Sequence, residues 1–224
     1  MRKEISSLIA FRPDVKVVDA TLRDGGLVND FYFTDEFVKA LYLANLRAGV
    51  DYMEFGYKAS KEMFDVNKFG KWKFCADEDI RAIVGENATD LKIAVMADVG
   101  RCEKEDILER SESRVATYLN TIPTAVDMIE DAAKKGYEVS CNIMAISNTQ
   151  EGDLRAALDI LGQSPVDVLY IVDSFGAMYP EQIARLTDIY MEAATKYNKK
   201  LGIHAHNNQQ LAFANTIEAV GDGV

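Results

Sequence analysis

The sequence predicts an α/β fold, a (β/α)8 or TIM-type barrel, and three observations carry that prediction. Short apolar runs alternate with amphipathic segments from about residue 16 onward. The runs are β-branched or aromatic and show no steady polar face, as expected of parallel strands buried on both sides. Polar residues gather where the runs end, the side on which barrel enzymes place their chemistry. Strand–helix alternation of this kind means βαβ units and a parallel sheet. A doubly wound sheet is the competing architecture. It usually carries G-x-G-x-x-G after its first strand, and the first run here leads instead into Thr21-Leu22-Arg23-Asp24-Gly25-Gly26.

In order, the expected strands are KVVDAT (16–21), YMEFGY (52–57), LKIAVMADV (91–99), RVATYL (114–119), EVSCNIMAI (138–146), VDVLYIVDS (166–174) and LGIHAH (201–206). Among the helices, one starts at Thr34, with Asp35 and Glu36 in its first turn, and stops at Gly49. A second runs from Thr124 to Gly136, and a third from Asp153 sets Leu154, Leu158 and Leu161 on one face. A fourth uses Pro180 in its first turn, where a missing N–H costs little, and a last covers about 209–220. Seven strand–helix units are visible, whereas a closed barrel needs eight. The expectation is a single barrel domain over residues 1–224, truncated before its eighth unit. The other solution is that a partner or the N-terminal segment covers the open sheet edges.

At 224 residues the chain buries a real core. Its formal net charge of −11 would repel a phosphate backbone, and no basic cluster offsets it, so nucleic acid is not an expected partner. An anionic substrate must find positive charge locally, from a metal or a placed arginine. Cys75, Cys102 and Cys141 are odd in number and lack C-x-x-C spacing, which suits reduced thiols. The start MRKEISSLIAF does not read as a signal peptide, and no run approaches the ~20 apolar residues of a membrane span. The expected compartment is the cytoplasm.

Both histidines of the chain occur as His204-Ala205-His206. Residues two apart in a strand point to one side, so two imidazoles at a strand end can share one metal ion. A carboxylate from a neighbouring strand end would complete the set. Asp24 follows the first strand in what reads as a tight glycine turn, Gly25-Gly26. Two histidines and an aspartate with open positions make a Lewis-acid site. Mn²⁺ or Mg²⁺ is the expected ion, and Zn²⁺ or Co²⁺ also suits imidazoles. Arg23 can hydrogen-bond a carboxylate or a developing enolate oxygen, and Glu54, ending the second strand, can hold Arg23 in place.

These residues carry a family resemblance. TLRDGG at the first strand end, MEFGY at the second, VDSFGAMYP at the sixth and GIHAHNNQQLAFAN at the seventh resemble the DRE-TIM metallolyase superfamily. Within it the chain is most similar to 4-hydroxy-2-oxovalerate aldolase-like and HMG-CoA lyase-like proteins. The resemblance implies that Arg23 stabilises an enolate and that Asp24, His204 and His206 are metal ligands. It places Asp173, Ser174 and Asn208 along the substrate pocket. It further implies a small 2-oxo acid substrate, cleavage of a 4-hydroxy-2-oxo acid to pyruvate and an aldehyde, a homo-oligomer, and an aldehyde dehydrogenase as partner. One departure stands out: Leu27 occupies the position where the aldolases carry a histidine base. Two other readings stay open, a Claisen-type or HMG-CoA lyase-like enzyme acting on acyl-CoA, and a degenerate barrel that binds without turnover.

Overall fold

A computed structural model describes residues 12–107, 112–117 and 121–224. The N-terminal segment 1–11, and Tyr118 and Leu119 of the expected fourth strand, lie outside the described residues. Seven parallel strands form one sheet in sequence order: β1 (Val18–Asp19), β2 (Tyr52–Tyr57), β3 (Lys92–Asp98), β4 (Glu112–Thr117), β5 (Val139–Ile143), β6 (Val168–Asp173) and β7 (Lys200–Ala205). The helices are α1 (Thr21–Asn29), α2 (Asp35–Ala48), α3 (Asp77–Val84), α4 (Ile122–Lys134), α5 (Glu151–Gln163), α6 (Pro180–Tyr197) and α7 (Ala212–Asp222). Strand order that follows chain order is the mark of a sheet rolling up rather than doubly winding.

Local chemistry sets the boundaries. The Thr34 hydroxyl accepts from the Phe37 N–H and starts α2, which ends at Gly49. Pro180 opens α6 from its first turn. Two separate apolar clusters pack along the sheet. One joins Met53, Phe55 and Val95 to Leu22, Val38 and Trp72. The other joins Val139, Cys141, Leu169 and Ile171 to Ile129 and Leu158. Burying each large apolar side chain contributes roughly 1.5–3 kcal/mol, so both halves hold the strand ends in place.

Three expectations are corrected. The link from β3 to β4 has, among the described residues, only a 3-10 turn at Lys104–Asp106. Conversely, β1 is followed by two helices. The third correction concerns TLRDGG, which is not a turn: Thr21 begins α1 directly, and the glycines lie inside it. At Gly26 the reason is packing. A Cβ there would stand 2.1 Å from a ring carbon of Phe31. Gly-to-Ala in a helix normally gains roughly 1 kcal/mol, but here overpacking of about 1–3 kcal/mol opposes it. Gly26→Ala is therefore expected to lower the thermal midpoint, measured by circular dichroism, and not to raise it.

Among the described residues no ladder joins β1 to β7. Between them lies a cleft of about 530 Å³, walled by Val17, Val18, Leu201, Ile203 and Val224. No described helix is long and apolar enough to cross a membrane.

Candidate metal and active site

The site is built where β1 and β7 end, on the C-terminal side of the sheet. Asp19 closes β1, and its carboxylate accepts from the N–H and hydroxyl of Thr21 at 3.0 and 3.1 Å. That bond turns the chain at once into α1, with Arg23 and Asp24 in the first turn. Across the cleft, β7 pairs with β6 so that His204 lies opposite Val172 and Ala205 opposite Asp173. His206 continues the ladder one step, its N–H donating to the Asp173 carbonyl at 3.2 Å.

The strand alternation that suggested a shared ligand site brings the two imidazoles together. Their Nε2 atoms are 3.3 Å apart. Asp24 Oδ2 lies 3.2 Å from His204 Nε2, and Asp24 Oδ1 lies 3.9 Å from His206 Nε2. One donor atom from each residue thus falls within 4.8 Å of the others. His206 Nδ1 is 2.8 Å from the Ser174 carbonyl oxygen, which can only accept. That carbonyl keeps one proton on Nδ1 in either charge state, so Nε2 is the nitrogen that carries or loses the second proton opposite Asp24 and is free to ligate once it is lost. Two imidazoles and a carboxylate, mutually within ligand reach, fit a divalent cation by donor chemistry.

Electrostatics agree with that fit. Burial works to raise the Asp24 carboxyl, but hydrogen bonds from His204 and His206 and the charge of Arg23 hold it well below the usual carboxylate range. Hydrogen bonding to Asp24 raises His206 above the ordinary imidazole value, against the effect of burial. Without metal, His206 therefore keeps its proton to a higher pH than free imidazole, and a protonated ring cannot ligate. Mn²⁺ affinity is expected to climb as pH rises through and past about 6.5, with proton release on binding. Calorimetry in two buffers of different ionisation enthalpy checks this.

Arg23 is the hub of the site. Its guanidinium is 3% exposed; Nε donates to Glu54 Oε2 at 2.8 Å, and Nη1 pairs with Asp24. Glu54 is fully buried at the middle of β2. Burial alone would weaken the guanidinium's charge, but Glu54 and Asp24 keep it firmly protonated. Nη2 is sealed from solvent and has no hydrogen-bond partner. Such a donor costs stability unless a ligand oxygen meets it.

The remaining expected residues take different places. Asp173 is fully buried, and its carboxylate accepts from the N–H groups of Ala177 and Met178. It shapes the loop after β6. Ser174 Oγ accepts from the Ala145 N–H, and the Ser174 carbonyl orients His206. Asn208 lines an open depression with Ser174, Phe175 and His206. Sequence reasoning missed Asp98 at the end of β3 and Lys73 in the loop after β2. Both lie within electrostatic reach of one another, and Asp98 also of Arg23. An isolated buried lysine or aspartate has no spacing signal to betray it.

A (β/α)-barrel-like α/β fold with an Asp-His-His cluster and an arginine at one strand end defines the class. The family model described as HMGL-like matches residues 14–224, and the chain belongs to that family. It is 28% identical over 220 residues to 4-hydroxy-2-oxovalerate aldolase 1 of Mycobacteroides abscessus, covering 94% of this chain and 59% of that protein. The chain thus spans about three-fifths of the length of such curated relatives. Among solved structures it is similar to the N-terminal domain of a candidate aldolase from Bacteroides vulgatus, with a TM-score of 0.78 and 26% identity, over 94% of this chain and 70% of that one. The HMG-CoA lyase of Brucella melitensis shares the fold, with a TM-score of 0.71 at 15% identity over 94% and 78%.

Proposed function

We propose that the chain is a divalent-metal-dependent carbon–carbon lyase that cleaves a 4-hydroxy-2-oxo acid to pyruvate and an aldehyde, or runs the aldol addition in reverse. The observation that carries this reading is the convergence of Asp24, His204 and His206 beside the unpartnered Nη2 of Arg23. A divalent ion, Mn²⁺ or Mg²⁺ by choice, held by those three residues would supply Lewis-acid polarisation of the substrate's 2-oxo group.

The protein's own part is positioning and charge. As the C3–C4 bond breaks, its electrons move toward the 2-oxo oxygen, and Arg23 donates to that oxygen as it becomes negative. A preformed donor of this kind accounts for several kcal/mol of barrier reduction. Glu54 fixes the orientation of the guanidinium. Ser174, through its carbonyl, fixes the His206 ring; Asp173 holds the loop that carries Ser174; Asn208 offers a polar rim. Both histidines of the chain are taken by the donor set, so the proton of the 4-hydroxyl leaves to a group other than histidine.

Leu27 favours a second reading. It stands where the resembling aldolases carry a base, and its side chain is largely exposed on α1. A barrel that holds metal and a 2-oxo acid without turnover would fit that loss. Pyruvate release from 4-hydroxy-2-oxo acids, followed with Mn²⁺ and with chelator, separates the two. Metal-dependent release supports the lyase, and binding with no release supports the degenerate barrel.

A further inference from the structure

Lys73 is 5% exposed, in the loop that returns from β2 to α3. Its Nζ stands 4.5 Å from the ring centre of Phe64, 4.8 Å from Tyr57, 5.0 Å from Phe31 and 5.6 Å from Phe69. The loop is clamped against the strand: a Cβ on Gly56 would lie 2.0 Å from the Trp72 carbonyl oxygen, so only glycine lets the two backbones approach. Among the described residues the ammonium has neither an ion pair nor a hydrogen bond. Lys58 is the internal contrast. Equally buried, it donates to the Cys75 carbonyl at 2.7 Å and pairs with Asp77 at 2.5 Å.

Nζ is not sealed from solvent, but an ammonium largely withdrawn from water without such partners is costly. Four aromatic faces recover part of that cost through their quadrupoles. They carry no net charge, however, and cannot accept its three N–H donors as an oxygen would. The charged groups around it are Asp98 at the end of β3, Arg101 in the following loop, and Arg23 on the far side of Tyr57. Asp98 is engaged by Arg101 at 3.2 Å, and its burial holds its carboxyl above the usual range. The ammonium can therefore take an anionic oxygen group, and Tyr57 contacts both it and the guanidinium that the 2-oxo end of the substrate would meet.

We propose that Lys73, held by its aromatic cage beside Tyr57 and Arg23, binds a carboxylate on the aldehyde half of the substrate. The preferred 4-hydroxy-2-oxo acid is then a dicarboxylate. This specificity rests on the lyase reading above. A single ammonium in an aromatic cage suits a monoanion better than a phosphate dianion, which would draw several donors.

Trp72, the one tryptophan of the chain, is buried next to Lys73, and its fluorescence reports the site without turnover. The Mn²⁺-loaded chain is titrated with 2-oxopentanoate and with 2-oxopentanedioate, which differ in the terminal carboxylate and cannot undergo retro-aldol cleavage. The dicarboxylate is expected to bind about 10–100-fold tighter, the usual worth of a charge-assisted hydrogen bond. Lys73→Met should bring the two acids to parity with Mn²⁺ affinity unchanged, and Lys73→Arg should keep most of the preference. Equal affinities in the unsubstituted chain, no binding of the dicarboxylate, or a preference retained in Lys73→Met would each overturn the proposal. Circular dichroism checks the folding of Lys73→Met; should it unfold, the unsubstituted chain and Lys73→Arg still decide. Both 4-hydroxy analogues are then assayed for pyruvate release. Preference without release would sink the lyase reading alone, and release without preference would sink the carboxylate site alone.

Discussion

His206→Ala is expected to abolish Mn²⁺ binding at micromolar protein. The loss should exceed the roughly 10–100-fold typical of removing a hydrogen bond behind a ligand, because a donor atom itself is deleted. His206 is half-exposed and packs little of the core, so the variant should fold with nearly the parent's thermal midpoint. Asp24 then keeps one imidazole neighbour, His204, and its 3.2 Å contact there survives. One carboxylate and one imidazole make a weak, unselective pair for a divalent ion. Calorimetric titration with Mn²⁺ measures the change, and an affinity within about threefold of the parent would remove His206 from the ligand set; that factor is far below any ligand effect.

The second large effect is at Arg23, where two consequences must be kept apart. Arg23→Met removes the only donor aimed from Nη2 and should cost about 10²–10³ in kcat, as loss of a preorganised oxyanion donor does. It also strips the fully buried Glu54 of the guanidinium that pairs with it at 2.8 Å. Breaking a buried pair on one side costs about 3–5 kcal/mol, which urea denaturation would show as a lower midpoint. Pairing the change with Glu54→Gln removes the orphaned charge. The double variant should recover most of the stability and none of the activity. Recovery of both would reduce Arg23 to a structural role. Arg23→Lys is not a mild change here, since one ammonium cannot span Glu54 and Asp24 as a planar fork does.

What the sequence revealed followed from period and punctuation. The H-x-H pair was legible because strand alternation is a rigid rule, and the two Nε2 atoms meet as that rule requires. Thr34, Gly49 and Pro180 marked helix ends because each acts through its own backbone or side chain, whatever surrounds it. TLRDGG misled for the opposite reason. Two glycines read as a turn, whereas Gly26 answers to the ring of Phe31, five residues on and invisible to any local pattern. The residues around the ligand set depended on contacts at long range. Glu54 was expected beside Arg23 at the end of the second strand, but β2 continues to Tyr57 and the pair forms from the strand's middle. Lys73 was not expected, since a lysine in KWKFC looks like surface until four rings from separate segments close around it. Asp173 and Ser174 were expected along the substrate pocket, and only the fold shows that their bonds run to backbone groups and to the His206 ring.

One cation held between β1 and β7 is the centre of the proposed chemistry. Crystals grown with Mn²⁺ and measured at its absorption edge test that directly. A single strong anomalous peak is expected about 2.0–2.3 Å from an Asp24 oxygen and from Nε2 of both His204 and His206. A map without density there, or with its peak on other residues while the triad stays hydrogen-bonded to itself, would contradict it.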